Sequence, residues 1–142
     1  MFSPQSLLIA ARCLCMAQLA TLVLLFASAG LVVQDSRGLG VHGLAAIGIH
    51  LTSGFLAVTL IVLARATKTG LVPAITAVAL FGLTFLQALL GSAMTLTQHV
   101  SGALVLTVMA TWLTAWAFSS QRRSHTRRSS ESRSDYLEGA PS

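Results

Sequence analysis

Three histidines interrupt otherwise apolar segments of this 142-residue chain. His50 lies in GIHLTSGFLAV, His99 in TQHVSGALVL and His42 in LGVHGLA. An imidazole in apolar surroundings costs free energy unless its ring nitrogens find partners, so each of these side chains is a candidate functional group. A neutral imidazole offers one hydrogen-bond donor and one lone pair, and the lone pair can bind a metal ion.

A glycine follows two of these histidines on the same helical face. Gly54 comes four residues after His50, and Gly102 comes three residues after His99. At these spacings each glycine lies about one turn from its histidine. The missing side chains would leave room for a bulky, flat ligand, although glycine also occurs where membrane helices simply pack closely.

The number of potential ligands restricts the metal. Two imidazoles do not complete a tetrahedral zinc site, and the apolar segments hold no further Cys, His, Asp or Glu at the level of His50 and His99. Haem brings four nitrogens of its own and needs only one or two axial ligands. We therefore predict a b-type haem bound by His50 and His99. The alternative is that these histidines only bond neighbouring protein groups.

The composition indicates the elements that position these residues. Apolar residues make up 54% of the chain and charged residues 9%, whereas soluble domains average about 25% charged residues. Helical spans of about 20 residues fit between the charges, and the long uncharged run 69–120 must fold back near SAMTLTQHVS. We predict an all-α, integral membrane four-helix bundle over residues 1–118. Its predicted spans are about 13–33, 41–64, 71–91 and 97–118.

Positive residues predict the orientation. Arg12, Arg65, Lys68 and five arginines of the C-terminal tail flank one set of span ends, and positive flanks stay in the cytoplasm. Both termini are therefore expected to be cytoplasmic. The small-residue motif Ala27-Ser28-Ala29 is similar to a signal-peptidase site, but its apolar stretch is too long, so we expect the first span to be retained.

The tail, residues 119–142, is rich in Ser and Arg and lacks apolar periodicity. We predict that it is disordered and that its arginines rest on anionic lipids of the inner leaflet. It offers only Tyr136 as an aromatic residue, so nucleic-acid binding is not expected.

Counting residues from the turns predicts the depth of each histidine. His50 and Gln87 lie about equally far from the turn near residue 69, and Gln87 and His99 lie equally far from the turn near residue 93. These three residues should form one layer in the outer half of the bundle, with His42 about 12 Å nearer the outside. Haem propionates would then point outward, and their possible polar partners are Arg37, His42, Gln87, Thr52 and Ser53. For His42 the alternatives of a ligand and of an interfacial residue with no role stay open.

The segments HGLAAIGIHLTSGFLAVTLIVLAR, FLQALLGSAM and QHVSGALVLTVMATW resemble one four-helix half of the haem A synthase family. They are also similar to small actinobacterial four-helix proteins and b-type membrane cytochromes. The resemblance covers residues 40–118. It implies a multi-pass protein of the bacterial cell (inner) membrane, with His50 and His99 as haem ligands. The catalytic Glu and the outer-loop cysteine pair of haem A synthases are absent here, which argues against haem A synthesis.

Three functions remain open at this point. A haem iron with two histidine ligands suits electron transfer, either to a redox partner protein or within a homodimer that mimics an eight-helix relative. A structural or accessory membrane subunit would need no cofactor. A membrane enzyme that modifies haem is the third alternative, so whether the chain is an enzyme is left undecided.

Overall fold

The computed structural model describes the backbone of residues 3–35, 37–91 and 95–138, and the side chains of residues 3–34, 37–91 and 95–119. The described residues form four helices, as predicted. They are α1 (Pro4–Asp35), α2 (Leu39–Thr67), α3 (Leu71–Leu89) and α4 (Leu96–Glu138).

All four helices are long and apolar enough to cross a membrane, with candidate spans Pro4–Gln34, Leu39–Thr67, Leu71–Leu89 and Leu96–Ser119. The shortest, α3, has 19 residues. At 1.5 Å per residue it is about 28 Å long, close to the ~30 Å thickness of a bilayer core. The helix α4 continues beyond the predicted end of its span because residues 103–138 contain neither Gly nor Pro. The disorder predicted for residues 119–142 concerns a segment whose side chains lie almost entirely outside the described residues, and it stays a prediction.

Two tight turns depend on a left-handed backbone. Gly38 precedes α2 at φ 92°, where an added Cβ would lie 3.1 Å from the Cβ of Leu31. Gly70 precedes α3 at φ 80°, and Lys68 ends α2 at φ 53°. Only glycine adopts such angles without strain. The turn between α1 and α2 therefore needs Gly38 for both its conformation and its space.

The helices form a ring in which each packs against its two neighbours. α1 contacts α2 and α4, and α3 contacts the same two helices. Across the diagonals α1–α3 and α2–α4, the described residues place no pair of Cα atoms within 8 Å of each other. The histidines of α2 and α4 therefore belong to helices on opposite sides of the bundle.

The bundle is apolar outside and holds polar groups inside. Its core combines leucines with small residues, including Leu56, Leu80, Leu113, Ala77 and Cys15. Four polar side chains are also buried, namely Gln18, Ser28, Ser53 and Thr84. Large apolar side chains cover much of the outer surface. This distribution is typical of a bundle surrounded by lipid, where small residues permit close packing and polar residues bond between helices.

The basic residues Arg12, Arg65 and Lys68 lie at one end of the bundle. The Nε of Arg12 donates to the carbonyl of Ala117 on α4, 3.1 Å away. A Cβ on Gly70 would lie 3.6 Å from the Trp116 ring, which brings the α2–α3 turn to the same level. The first part of α1 and the level of Ala117 on α4 therefore lie at the basic end of the bundle, together with the α2–α3 turn.

Candidate histidine site

His50 is half-buried on α2, and its ring is held at two points. Its Nδ1 donates to the carbonyl of Ala46, one turn earlier, at 2.5 Å. Its ring also meets the edge of Phe85 on α3, with the centroids 4.4 Å apart and the planes at 75°. The geometry is a T-shaped contact, which aromatic rings favour. Both contacts fix the orientation of the imidazole relative to α3.

His99 is half-buried on α4 and is tied to α3 by its backbone. Its Nδ1 donates to the carbonyl of Gln87 at 2.9 Å. This bond confirms the prediction that His99 and Gln87 lie at one level. His50 reaches the same part of α3 through Phe85, only two residues before Gln87. The short segment 85–87 of α3 is thus contacted by both histidines.

These hydrogen bonds also determine where each histidine carries its proton. A carbonyl oxygen can only accept, so Nδ1 of His50 and Nδ1 of His99 must both carry hydrogen. In a neutral imidazole the lone pair is then on Nε2. Neither Nε2 makes a hydrogen bond to the described residues. Histidines that bind metals commonly show this arrangement, in which one ring nitrogen donates to a backbone carbonyl and the other faces the metal.

The space beside both glycines holds side chains in this structure. A Cβ on Gly54 would lie 3.2 Å from the ring of Phe81, and a Cβ on Gly102 would overlap the side-chain amide of Gln87. The clearance predicted at these two positions is therefore filled by α3. Gln87 nevertheless leaves its Oε1 buried without a hydrogen-bond partner among the described residues.

His42 and Arg37 lie toward the other end of the bundle from Lys68. The Ser28 hydroxyl donates its hydrogen to the carbonyl of Leu25 at 3.1 Å. The same hydroxyl forms a hydrogen bond with Nδ1 of His42, which lies 3.0 Å away. His42 is half-buried, and Arg37 is exposed near the start of α2. The structure thus gives His42 a structural partner on α1.

The structure supplies the partner of Gln18, a polar residue of the first span that was expected to bond across the bundle near His50. The hydroxyl of Thr52 lies 2.5 Å from Oε1 of Gln18, which joins α2 to α1. Gln18 is only 1% exposed, and its Nε2 has no partner among the described residues. A glutamine within an apolar span was the available signal, but the sequence could not say which helix it would face.

No group of three or more His, Cys, Asp and Glu side chains comes together within the described part of the chain. The two cysteines are free, with Cys13 exposed and Cys15 buried, so they point to different sides. Any metal site formed by the described histidines would therefore use at most two protein ligands of these types.

Comparisons with protein-family models, with curated proteins and with solved structures find no match to this chain. What can be assigned is therefore the class: an all-helical protein with four helices suited to crossing a membrane, which suggests a multi-pass membrane protein.

Proposed function

We propose that this chain is an integral membrane protein that binds a b-type haem through His50 and His99 and passes single electrons. The observation that carries the proposal is the hydrogen bonding of the two imidazoles. Each Nδ1–H is bound to a backbone carbonyl, so each Nε2 presents a lone pair. Two such nitrogens on opposite helices of a bundle suit the two axial positions of one iron.

Haem binding requires room between α2 and α4, and α3 is the helix that must provide it. The side chains of Phe81 and Gln87 lie against Gly54 and Gly102. Rotating the Gln87 side chain breaks no hydrogen bond at its Oε1, since that atom has no partner among the described residues. The two glycines then offer the flat surface that the ligand needs. We expect Gln87 to change rotamer when haem binds.

The polar groups toward the Arg37 end of the bundle support an outward orientation of the propionates. Arg37 is exposed there, and His42 lies on the same helix as His50, two turns nearer that end. Cationic and hydrogen-bonding side chains favour carboxylates at this level. In this proposal the basic end faces the cytoplasm of a bacterial cell, with the haem in the outer half of its inner membrane.

Electron transfer fits this set of residues better than catalysis. The bound haem would supply a one-electron couple, while the chain would hold the iron from both sides and exclude water. Two histidines leave no open iron position for oxygen or substrate. The candidate spans from α2 onward contain no Asp or Glu that could carry protons. The electron partner would be another protein or a second copy of the chain.

The test is the visible spectrum of the protein purified in detergent from cells supplied with a haem precursor. We expect a Soret band and sharp low-spin bands on reduction, and both His50→Ala and His99→Ala should lose the low-spin spectrum. His125→Ala, in the tail, is the matched control and should keep it, as should His42→Ala. A colourless wild-type protein would overturn the proposal.

A cofactor-free accessory subunit is the second candidate, favoured by the side chains that fill the space at Gly54 and Gly102. In this case His99 serves only to hold α4 on α3. His99→Asn would then keep the fold and any partner assembly, because an amide can still donate to the Gln87 carbonyl. The haem proposal expects the same substitution to remove a haem ligand and change the spectrum.

A further inference from the structure

A groove runs between α2 and α3 at the basic end of the bundle. It has a volume of about 650 Å³, within the ~300–1,000 Å³ range common for ligand sites. One face of each helix forms a wall, and the lining residues on that face follow one another at spacings of mostly three or four positions. On α2 they include Ile61, Ala64 and Arg65, and on α3 they include Ala74, Ile75 and Val78.

We propose that this groove seats one anionic phospholipid, with an acyl chain between the helices and the headgroup at Arg65 and Lys68. The apolar walls extend over about two turns of each helix, roughly 10 Å at 1.5 Å per residue. The two cations line the groove at the end of α2. The groove therefore has an apolar body and a charged end, as a phospholipid has.

The positive charges of Arg65 and Lys68 favour a lipid with an anionic headgroup. Arg65 and Lys68 are both exposed, and neither forms an ion pair with the side chains that the structure describes. The described residues that line the groove include these two cations and no acidic residue. A phosphate with a net negative headgroup would therefore meet two positive charges there. Basic pockets between membrane helices commonly bind such lipids.

The backbone of the turn keeps Lys68 in place. Lys68 has φ 53°, an angle at which glycine or asparagine is more usual after a helix. The hydroxyls of Thr67 and Thr69 lie 3.0 Å apart on either side of it. Thr67 also bonds back to the carbonyl of Leu63 at 2.8 Å. The turn thus keeps the backbone of Lys68 in a left-handed conformation at the end of α2, beside the groove.

This site is separate from the histidines and does not depend on haem binding. It also differs from the lipid contact predicted for the tail arginines, which rests on their charge alone. A specific binding site predicts one retained lipid per chain. A polybasic tail would instead attract many lipids and retain none of them at a defined position. The number of lipids bound and the residues required distinguish the two.

The experiment is native mass spectrometry of the full chain in mild detergent, with phosphatidylglycerol or phosphatidylcholine of identical acyl chains. We expect one phosphatidylglycerol per wild-type chain, preferred over phosphatidylcholine by about thirtyfold, and a loss of about fivefold in Arg65→Gln and in Lys68→Gln. Arg122→Gln with Arg123→Gln is the control for tail charge and should leave the single bound lipid unchanged.

A second pair of variants tests the groove by volume. Ala79 lines the groove and is exposed, so a phenylalanine side chain in Ala79→Phe should fill the groove. We expect it to weaken lipid retention by about fivefold, as in Arg65→Gln and Lys68→Gln. Ala115→Phe adds the same volume at an exposed position on α4 and should have no effect. Equal retention of the two lipids by the wild type would overturn the proposal. So would a loss in the tail variant with none in the groove variants.

Discussion

Gln87 contacts α4 twice, and both contacts involve the level of His99. Its carbonyl accepts a hydrogen bond of 2.9 Å from Nδ1 of His99. Its side-chain amide lies against Gly102, three residues further along α4. One residue of α3 therefore fixes both the orientation of an imidazole and the approach of two helices, close to the turn that joins them.

The packing at Gly102 predicts a small cost for one added methyl group. Gly102→Ala should lower the free energy of unfolding by about 1 kcal/mol at most, because its Cβ would overlap only the end of the flexible Gln87 side chain, which can turn aside. The measurement is unfolding of the detergent-solubilised protein by sodium dodecyl sulfate, followed by circular dichroism. Adding Gln87→Ala to this variant should recover much of the loss.

Gly82→Ala is the matched control for this substitution. A Cβ on Gly82 of α3 would meet nothing within 4 Å. The change should be neutral or stabilise the helix by up to about 1 kcal/mol. An equal change of stability in Gly102→Ala and Gly82→Ala would contradict the contact between Gln87 and Gly102.

Replacing one proposed haem ligand with methionine should change the redox potential while retaining haem. In His99→Met the thioether can bind iron, and methionine in place of histidine raises the potential of a haem. Potentiometric titration of the purified protein would measure the shift. His125→Met, in the tail, should leave the potential of the wild type unchanged. An unchanged potential in His99→Met would remove His99 from the ligand set.

The contact between Thr52 and Gln18 predicts a cost for leaving an amide buried without a partner. Thr52→Val removes the hydroxyl that lies 2.5 Å from the Gln18 side chain. We expect a loss of about 0.6–2 kcal/mol in the free energy of unfolding. Gln18→Leu combined with Thr52→Val should be less harmful than Thr52→Val alone, since no polar group is then stranded.

Thr59→Val provides the comparison for that change. Thr59 lies on the same helix and bonds only to its own backbone, with its hydroxyl 2.7 Å from the carbonyl of Phe55. The substitution should change stability by less than about 0.5 kcal/mol. Equal effects of Thr52→Val and Thr59→Val would show that the bond between α1 and α2 contributes nothing.

The left-handed conformation of Lys68 predicts that replacing it with glycine raises stability and weakens lipid binding. Lys68→Gly should relieve strain at φ 53° and raise the free energy of unfolding by up to about 1 kcal/mol in lipid-free detergent. The same variant should lose the advantage that phosphatidylglycerol gives the wild type. Thermal unfolding with and without this lipid would measure both effects. Lys68→Arg, which keeps the charge, should resemble the wild type in both conditions.

The number and order of the helices followed from sequence alone. Three uncharged stretches of adequate length, the last of them long enough for two helices that fold back at a polar cluster, leave one arrangement of short hairpins. The depth of His99 relative to Gln87 was also predictable, because both lie close to one turn and the rise per residue is fixed. Helix ends were less predictable, since no Gly or Pro marks where α4 should stop after residue 118.

The partners of the polar side chains were decided only by the tertiary structure. Sequence spacing places Gly54 and Gly102 on the faces of their histidines, yet only the packing of α3 shows that Phe81 and Gln87 fill those positions. Likewise, Gln18 could have faced any neighbour until the rotation of α1 set it against Thr52. The physical reason is that periodicity fixes a residue's face and depth within its own helix, whereas the rotation of one helix against another depends on the packing of all four.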